Sequence, residues 1–155
     1  REIQPEVLAQ GVEQTFWPGR MEEVLPEIFV DGAHNADGIR AFLETVSGDA
    51  FEGKRNLMFS VVSDKDYAQM LRKITQSGLF HKIYLAQMGN YRATSLEEMK
   101  SHLSEEYSGQ VYLFETVRDA FEAVKETKLK NERVYIVGSL YLVGEIKEYV
   151  DDDKF

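Results

Sequence analysis

The chain has 155 residues, a formal net charge of −9 and no cysteine. This length fits one domain with a sizeable core, and the negative charge argues against a nucleic-acid backbone or an anionic membrane as a partner. Without cysteine, the chain can have no disulfide framework, thiolate nucleophile or cysteine-based metal site.

The N-terminal stretch is predicted to lead into an antiparallel pair of strands. Apolar residues at helical spacing predict a short helix over residues 3–14, and the Pro-Gly pair at 18–19 interrupts the pattern. Residues 21–25 and 28–30 have strand character, and the short turn between them predicts antiparallel pairing, with the first strand at a sheet edge. The chain begins at Arg1 rather than Met, so we expect it to be part of a longer protein.

Helical and strand patterns alternate through the rest of the chain. Hydrophobic periodicity predicts five helices, over residues 37–46, 67–75, 95–106, 117–126 and 140–150. Short apolar runs between them predict four further strands, over residues 56–62, 82–86, 111–114 and 133–137. This order predicts an α/β, Rossmann-like three-layer domain: a mostly parallel sheet of about six strands with one antiparallel edge strand, and helices on both faces. We expect Tyr141 and Leu142 in the core and a solvated acidic tail over residues 151–155.

Polar side chains collect where the predicted strands end. Asp31, His34 and Asn35 follow the second strand, residues 63–66 follow the third, and Ser139 begins the final helix. The carboxyl ends of parallel strands share one edge of the sheet, which is where open α/β sheets bind ligands. A helix start offers N–H groups to a phosphate or carboxylate, and an acid at a strand end can accept ribose hydroxyls. We therefore predict a site for a nucleotide and a small anion.

Two common nucleotide-binding motifs are missing from the sequence. No G-x-G-x-x-G follows a strand, which argues against a dinucleotide-dependent dehydrogenase. No G-x-x-x-x-G-K-[ST] occurs either, so the chain has no P-loop of its own.

Four motifs together resemble a known enzyme family. They are W-P-G-R at residues 17–20, D-G-A-H-N at 31–35, S-D-K-D at 63–66 and G-S-L-Y-L-V-G-E at 138–145. In this order and spacing they resemble the C-terminal domain of the folylpolyglutamate synthase/dihydrofolate synthase family, within the Mur ligase superfamily. One departure is Ala36, since the family usually has proline after D-G-A-H-N. Alanine loosens this helix start without removing a reacting group.

The resemblance implies one domain of an ATP-dependent carboxylate–amine ligase. Such an enzyme phosphorylates a carboxylate of a folate or dihydropteroate, and the amine of L-glutamate then attacks the acyl phosphate. The resemblance assigns residues 1–19 to a linker and short helix from the preceding domain, and residues 20–155 to the glutamate ligase domain. The P-loop domain, the Mg²⁺ ligands and most of the folate site would lie outside this chain. We expect the fragment to be inactive alone, and the protein to be monomeric and cytoplasmic.

The resemblance also implies the residues that meet ATP. Arg20 would reach the phosphates from the linker, Asp31 would hold the ribose, and His34 would lie by the phosphates and the reacting centre as the catalytic residue. Each has a simpler interpretation. Arg20 could form a weak surface ion pair, Asp31 could cap the next helix, and His34 could be an ordinary surface imidazole.

The glutamate half of the implied site consists of Lys65, Ser139 and Asn35. Lys65 would contribute charge, and Ser139 a hydroxyl at a helix N-terminus. The simpler interpretations are a local ion pair between Lys65 and its acidic neighbours, and an N-cap role for Ser139. No residue of the chain is expected to bind a metal ion.

Two other functions remain open on the sequence alone. One is the C-terminal domain of a Mur ligase that acts on cell-wall precursors, although W-P-G-R and D-G-A-H-N favour folate. The other is a stand-alone flavodoxin-like or receiver module. A receiver would need a lysine after the last strand, where this chain has Gly138 and Ser139.

Overall fold

The computed structural model describes residues 21–62, 66–89 and 94–153. Its strands are β1 (Glu22–Leu25), β2 (Ile28–Val30), β3 (Lys54–Phe59), β4 (Phe80–Ala86), β5 (Gln110–Phe114) and β6 (Glu132–Val137). Its helices are α1 (Ala36–Ser47), α2 (Tyr67–Gln76), α3 (Leu96–Ser101), α4 (Val117–Thr127) and α5 (Leu140–Asp152). The type and order of all these elements agree with the sequence prediction.

The strands form one sheet in the order β1-β2-β6-β3-β4-β5. β1 pairs antiparallel with β2, and every other pairing is parallel. The predicted mostly parallel sheet with one antiparallel edge strand is therefore confirmed. β6, the last strand in the chain, lies at the centre of the sheet between β2 and β3.

Apolar side chains form a core on each face of the sheet. On one face, α4 and α5 pack their buried side chains, including Phe121 and Ile146, against strand residues such as Ile136. On the other, α1, α2 and α3 pack against residues such as Val137, with Ile39 among the buried helical side chains. Consecutive residues of β6 thus belong to opposite cores, because successive side chains of a strand lie on opposite faces of the sheet. Helices on both faces, and hence three layers, are confirmed.

The third helix ends earlier than the sequence predicts. α3 stops at Ser101 rather than near residue 106: the N–H groups of His102 and Leu103 bond three residues back, and from Ser104 onwards tertiary hydrogen bonds take over. The Ser104 N–H donates to Thr75 Oγ1 at 3.0 Å, and the Tyr107 hydroxyl donates to the Phe80 carbonyl at 3.1 Å. Burial raises the pKa of Tyr107 to about 12.

The fifth helix departs from the prediction at its C-terminal end and in the exposure of Tyr141. Residues 151–152, predicted as part of a solvated tail, continue α5, and Asp153 receives a bond from Lys125 Nζ at 3.0 Å. Tyr141, predicted in the core, is 72% exposed, whereas Leu142 is buried as expected. The buried side of α5 consists of Leu142, Val143, Ile146 and Val150. Tyr141 falls on the opposite side of the helix.

The predictions for the N-terminal stretch lie outside the described residues. They are the helix over residues 3–14 and the interruption at residues 17–20. Among the residues that the structure describes, no helix is long and apolar enough to cross a membrane.

Candidate functional site

The carboxyl ends of β2 and β6 border a crevice at one edge of the sheet. These strands are parallel neighbours, yet β2 continues into α1 and β6 into α5, which cover opposite faces. Ligands of open α/β sheets bind where adjacent connections diverge in this way. A cavity of about 340 Å³ lies here, within the size range of small-molecule sites. It is lined by Asp31, Gly32, Ala33, His34, Asn35, Gly38, Ala41, Phe42, Thr45 and Leu140.

Asp31 is held in place by bonds to its own loop and to β6. Its N–H donates to the Ile136 carbonyl at 3.0 Å, and its Oδ1 accepts the Ala33 N–H at 2.9 Å. The Ala33 carbonyl in turn accepts the Gly138 N–H at 3.1 Å. Asn35, and not Asp31, occupies the N-cap position of α1, so the simpler interpretation of Asp31 is wrong. The carboxylate is instead a nearly buried group on the cavity wall.

His34 is exposed on the wall of the cavity. Its Nδ1 lies 3.0 Å from the Gly32 carbonyl oxygen. Because a carbonyl only accepts, this contact requires the proton on Nδ1, which leaves Nε2 as the acceptor of the neutral ring. A ring oriented in this way can accept a hydrogen bond at Nε2. With a proton at Nε2, it can instead donate a hydrogen bond to a phosphate.

Asn35 is the N-cap of α1. Its Oδ1 accepts the Gly38 N–H at 2.7 Å, and its backbone is extended, with φ −150° and ψ 176°. Because the capping bond uses the side-chain oxygen of Asn35, the side-chain NH₂ group is the part that can donate to a ligand.

Gly138 and Ser139 form the turn from β6 into α5. Gly138 has φ +127°, and a Cβ placed there would lie 2.1 Å from the Ser60 carbonyl oxygen. Ser139 is buried, and its Oγ accepts the Tyr141 N–H at 3.0 Å, which confirms the N-cap interpretation. Its hydroxyl proton can still be donated to an anion.

Asp66 connects the loop after β3 to the start of α1. Its Oδ2 accepts the Ala36 N–H at 3.3 Å. It also occupies the N-cap position of α2, although its side chain makes no cap bond there. This bond joins the residue before α2 to the first residue of α1.

The described lining of the cavity has too little positive charge to neutralise a polyphosphate. Its described lining includes one carboxylate, Asp31, and one imidazole, His34, but no lysine or arginine. Cations that neutralise phosphates would have to come from other parts of the protein.

The structure thus brings together four of the six predicted site residues. Asp31, His34 and Asn35 line the cavity, and Ser139 lies in the turn just before its lining residue Leu140. The other two, Arg20 and Lys65, lie outside the described residues.

The sequence interpretation missed the helical wall of the cavity. This wall is formed by the α1 residues Gly38, Ala41, Phe42 and Thr45. The available signal was a pair of small residues, Gly38 and Ala41, three positions apart and therefore on one face of a helix. Leu140, which is 56% exposed, was also missed.

Comparison with known proteins gives one family and a group of named relatives. A family model described as the Mur ligase, glutamate ligase domain, matches residues 19–140. The dihydrofolate synthase/folylpolyglutamate synthase of Bacillus subtilis (strain 168) is 30% identical over 148 residues, covering 94% of this chain and 33% of the relative. The chain thus spans about a third of the length of this relative, and 32% of that of a folylpolyglutamate synthase from Lacticaseibacillus casei, to which it is 29% identical.

Solved structures share the fold. An E. coli FolC in complex with DHPP and ADP has a TM-score of 0.79 at 22% identity, over 90% of this chain and 33% of that one. A bifunctional folylpolyglutamate synthase/dihydrofolate synthase with Mn, AMPPNP and L-glutamate bound has a TM-score of 0.76 at 22% identity, over 88% of this chain and 32% of that one. These similarities confirm the predicted Rossmann-like fold.

Proposed function

The chain belongs to the family of Mur ligase glutamate ligase domains, and we propose from this membership that it is the C-terminal domain of an ATP-dependent ligase that adds L-glutamate to a folate. The named relatives are folate enzymes, which favours folate over the cell-wall alternative. Glutamate addition would extend a folylpolyglutamate tail or convert dihydropteroate to dihydrofolate. The proposed reaction passes through an acyl phosphate.

The observation that carries this proposal is the crevice between β2 and β6. It combines a cavity of about 340 Å³ with a nearly buried acid, Asp31, and an oriented imidazole, His34. In our proposal Asp31 accepts the ribose hydroxyls of ATP, and His34 lies by the phosphates and the reacting centre. Arg20 reaches the phosphates from the preceding segment, which would supply a cation that the described lining lacks.

The incoming glutamate occupies the other half of the proposed site. Lys65 attracts a carboxylate of the amino acid, Ser139 donates its hydroxyl proton, and Asn35 donates from its NH₂ group. The capping bonds of Ser139 and Asn35 support these roles, because they fix the acceptor oxygens and leave donors for a carboxylate.

The remaining parts of the proposed enzyme belong to an upstream domain of the same polypeptide. The residues that the structure describes contain no group of three or more His, Asp or Glu side chains able to hold a metal ion. In the proposal, the P-loop, the Mg²⁺ ligands and most of the folate site belong to that domain, with the boundary near residue 20. Mg²⁺ would neutralise phosphate charge there. A cytoplasmic monomer remains part of this proposal.

The nucleotide half of the proposal is tested by Asp31→Ala in the full-length enzyme. Loss of two bonds to ribose should raise KM for ATP about tenfold or more, since hydrogen bonds to a charged group are among the stronger ones. Steady-state kinetics with ATP as the varied substrate measure this change. Asp37→Ala is the matched control, because Asp37 lies in the first turn of α1 with its side chain 91% exposed and outside the cavity lining. Unchanged nucleotide kinetics in Asp31→Ala would refute the ribose role.

The glutamate half is tested by Lys65→Ala in the same enzyme. Removing the cation should raise KM for glutamate about tenfold and leave KM for ATP nearly unchanged. The reverse pattern would move Lys65 to the nucleotide.

A further inference from the structure

We propose, on the basis of the function proposed above, that one exposed side of α5 is the surface on which the upstream domain docks. This side consists of Leu140, Tyr141 and Gly144, and we call it the α5 patch. It is the place where the two domains of the ligase meet when the site closes.

The α5 patch lies on the side of the helix opposite to the core. The four buried residues of α5 all belong to the core on one face of the sheet. Leu140 and Tyr141 are 56% and 72% exposed, and Gly144 is exposed as well. Residues three and four positions apart are neighbours on a helix, so Gly144 lies beside both of these side chains. Two large apolar side chains thus flank a position that has no side chain.

Exposed apolar side chains do not adjoin in this way elsewhere in the described part of the chain. Three other large ones are exposed there: Tyr112, Leu113 and Leu129. Tyr112 and Leu113 are consecutive in β5, so their side chains lie on opposite faces of the sheet. Leu129 lies in the turn between α4 and β6. Exposed apolar patches rimmed by polar residues mark interaction surfaces more often than single exposed side chains do.

Nothing in the described residues requires glycine at position 144. Glycine inside a helix lowers stability relative to alanine, because it has more freedom to lose on folding. Gly144 does not have a positive φ, and an added Cβ would meet no described atom within 4 Å. Neither a turn nor internal packing explains the residue. A helix without a side chain at this point does allow a second surface to approach its backbone closely.

The position of the α5 patch indicates its partner. Leu140 belongs both to the patch and to the lining of the cavity proposed for the nucleotide. The described lining has no lysine or arginine, so cations that neutralise phosphates have to approach from beyond it. The chain corresponds to 33% of the length of its Bacillus subtilis relative, and the proposed function places the P-loop domain in the remainder. A domain that brings groups to the phosphates closes over the rim of the cavity, where the patch begins.

A second copy of this chain fits the α5 patch less well than a tethered domain does. Each copy has a formal net charge of −9, so two copies repel each other. Stable complexes between separate proteins usually bury about 1,200–2,000 Å², far more than two apolar side chains provide. A domain of the same polypeptide needs less contact area, because its linker keeps the effective concentration high.

Hydroxyl-radical footprinting tests the docking surface without relying on activity. The isolated 155-residue chain and the full-length ligase are oxidised under the same conditions, both with a non-hydrolysable ATP analogue, and modified side chains are quantified by mass spectrometry. Oxidation of Leu140 and Tyr141 should be about fivefold lower in the full-length ligase, because an interface excludes water from them. Leu129, which is 58% exposed, and Tyr112, which is 39% exposed, are the matched controls. Their oxidation should change by less than about twofold, because both lie away from the patch.

A substitution at Gly144 tests the close approach. Gly144→Gln adds a long side chain with good helix propensity, so the isolated chain should be at least as stable as wild type in urea denaturation. In the full-length ligase the added side chain should hold the domains apart, which should raise Tyr141 oxidation about threefold and lower kcat/KM for ATP about tenfold. Glu126→Gln, at an exposed position of α4, is the matched control and should leave both values unchanged.

The contrary outcomes separate the docking surface from the proposed function. Equal oxidation of Tyr141 in the isolated chain and in an active full-length ligase would overturn the docking surface alone. Protection of Tyr141 that appears in the isolated chain as its concentration rises would assign the α5 patch to a second copy instead. A wild-type footprint in full-length Gly144→Gln would overturn the close approach at this position. Full-length wild type that does not ligate glutamate to a folate would overturn the proposed function itself.

Discussion

Gly138 controls how closely the last strand and helix approach the neighbouring strand. Its φ of +127° is a conformation that side-chain-bearing residues rarely adopt, and an added Cβ would overlap the Ser60 carbonyl. Ser60 is fully buried and fixed, with its hydroxyl donating to the Ala86 carbonyl at 2.6 Å. The carbonyl therefore has little room to move away, and the position of Ser139 follows from the absence of a side chain at 138.

Replacing Gly138 should be one of the most destabilising single changes in the chain. We expect Gly138→Ala to lower the free energy of unfolding by about 3 kcal/mol or more, from backbone strain together with the steric overlap. Urea denaturation followed by circular dichroism measures the change. Gly144→Ala is the matched control: an added Cβ there meets nothing within 4 Å, and Gly144 lies within α5. That substitution should be neutral or stabilising by up to about 1 kcal/mol. Similar losses in both variants would contradict the steric explanation.

At the scale of elements, a buried ion pair joins β4 to the start of β6. Lys82 Nζ lies 3.4 Å from Glu132 Oε2, and the Glu132 side chain is only 2% exposed. Glu132 Oε1 also accepts the Leu129 N–H at 2.9 Å. Burial alone would raise the pKa of Glu132, but this N–H bond and the charge of Lys82 outweigh it and hold the pKa below its usual value.

This lowered pKa predicts how stability should change with acidity. The Glu132 carboxylate stabilises the fold above its unfolded pKa of about 4.3, and the contribution is lost as pH falls through the lower folded value. Glu132→Gln should therefore cost about 3 kcal/mol at pH 7, and the difference from wild type should shrink below about pH 4. Thermal unfolding of both proteins across pH 3–7 measures this difference in stability. The exposed Glu126 provides the control, since Glu126→Gln should give a small difference at every pH. A pH-independent difference for Glu132→Gln would contradict the explanation.

The order of helices and strands could be predicted because the hydrophobic periodicity of each element is visible within its own short stretch of sequence. The ends of α3 and α5 could not, since they depend on tertiary partners such as Thr75 and Lys125. The prediction of parallel strands was enough to place Asp31, His34 and Ser139 together at one edge of the sheet. The bond between Asp66 and Ala36 was not predictable, because a contact over thirty residues leaves no periodic signal.

At the scale of the whole molecule, the chain carries only part of the proposed ligase. It spans about a third of the length of its Bacillus subtilis relative, its sequence has no P-loop, and the described lining of its cavity has no lysine or arginine. Acyl-phosphate chemistry requires positioned cations and exclusion of water, and closure of two domains around the substrates can provide both.

The purified 155-residue chain should therefore show no ligation by itself. We expect no ATP-dependent incorporation of labelled glutamate into a folate, because the phosphates would lack their main binding groups. The full-length enzyme under the same conditions serves as the positive control. Turnover by the isolated chain would contradict the assignment of the phosphate site to another domain.

The central position of β6 has a consequence for synthesis on the ribosome. β6 is the last of the described strands to be made, and the only one of them that pairs with both β2 and β3. Until residues 132–137 leave the exit tunnel, the nascent chain holds two partial sheets, each with an open edge that β6 will later cover. Pairing over such long separations is slow and leaves those edges available to other chains. Translation that stops before residue 132 should therefore yield an aggregating product rather than a smaller folded domain.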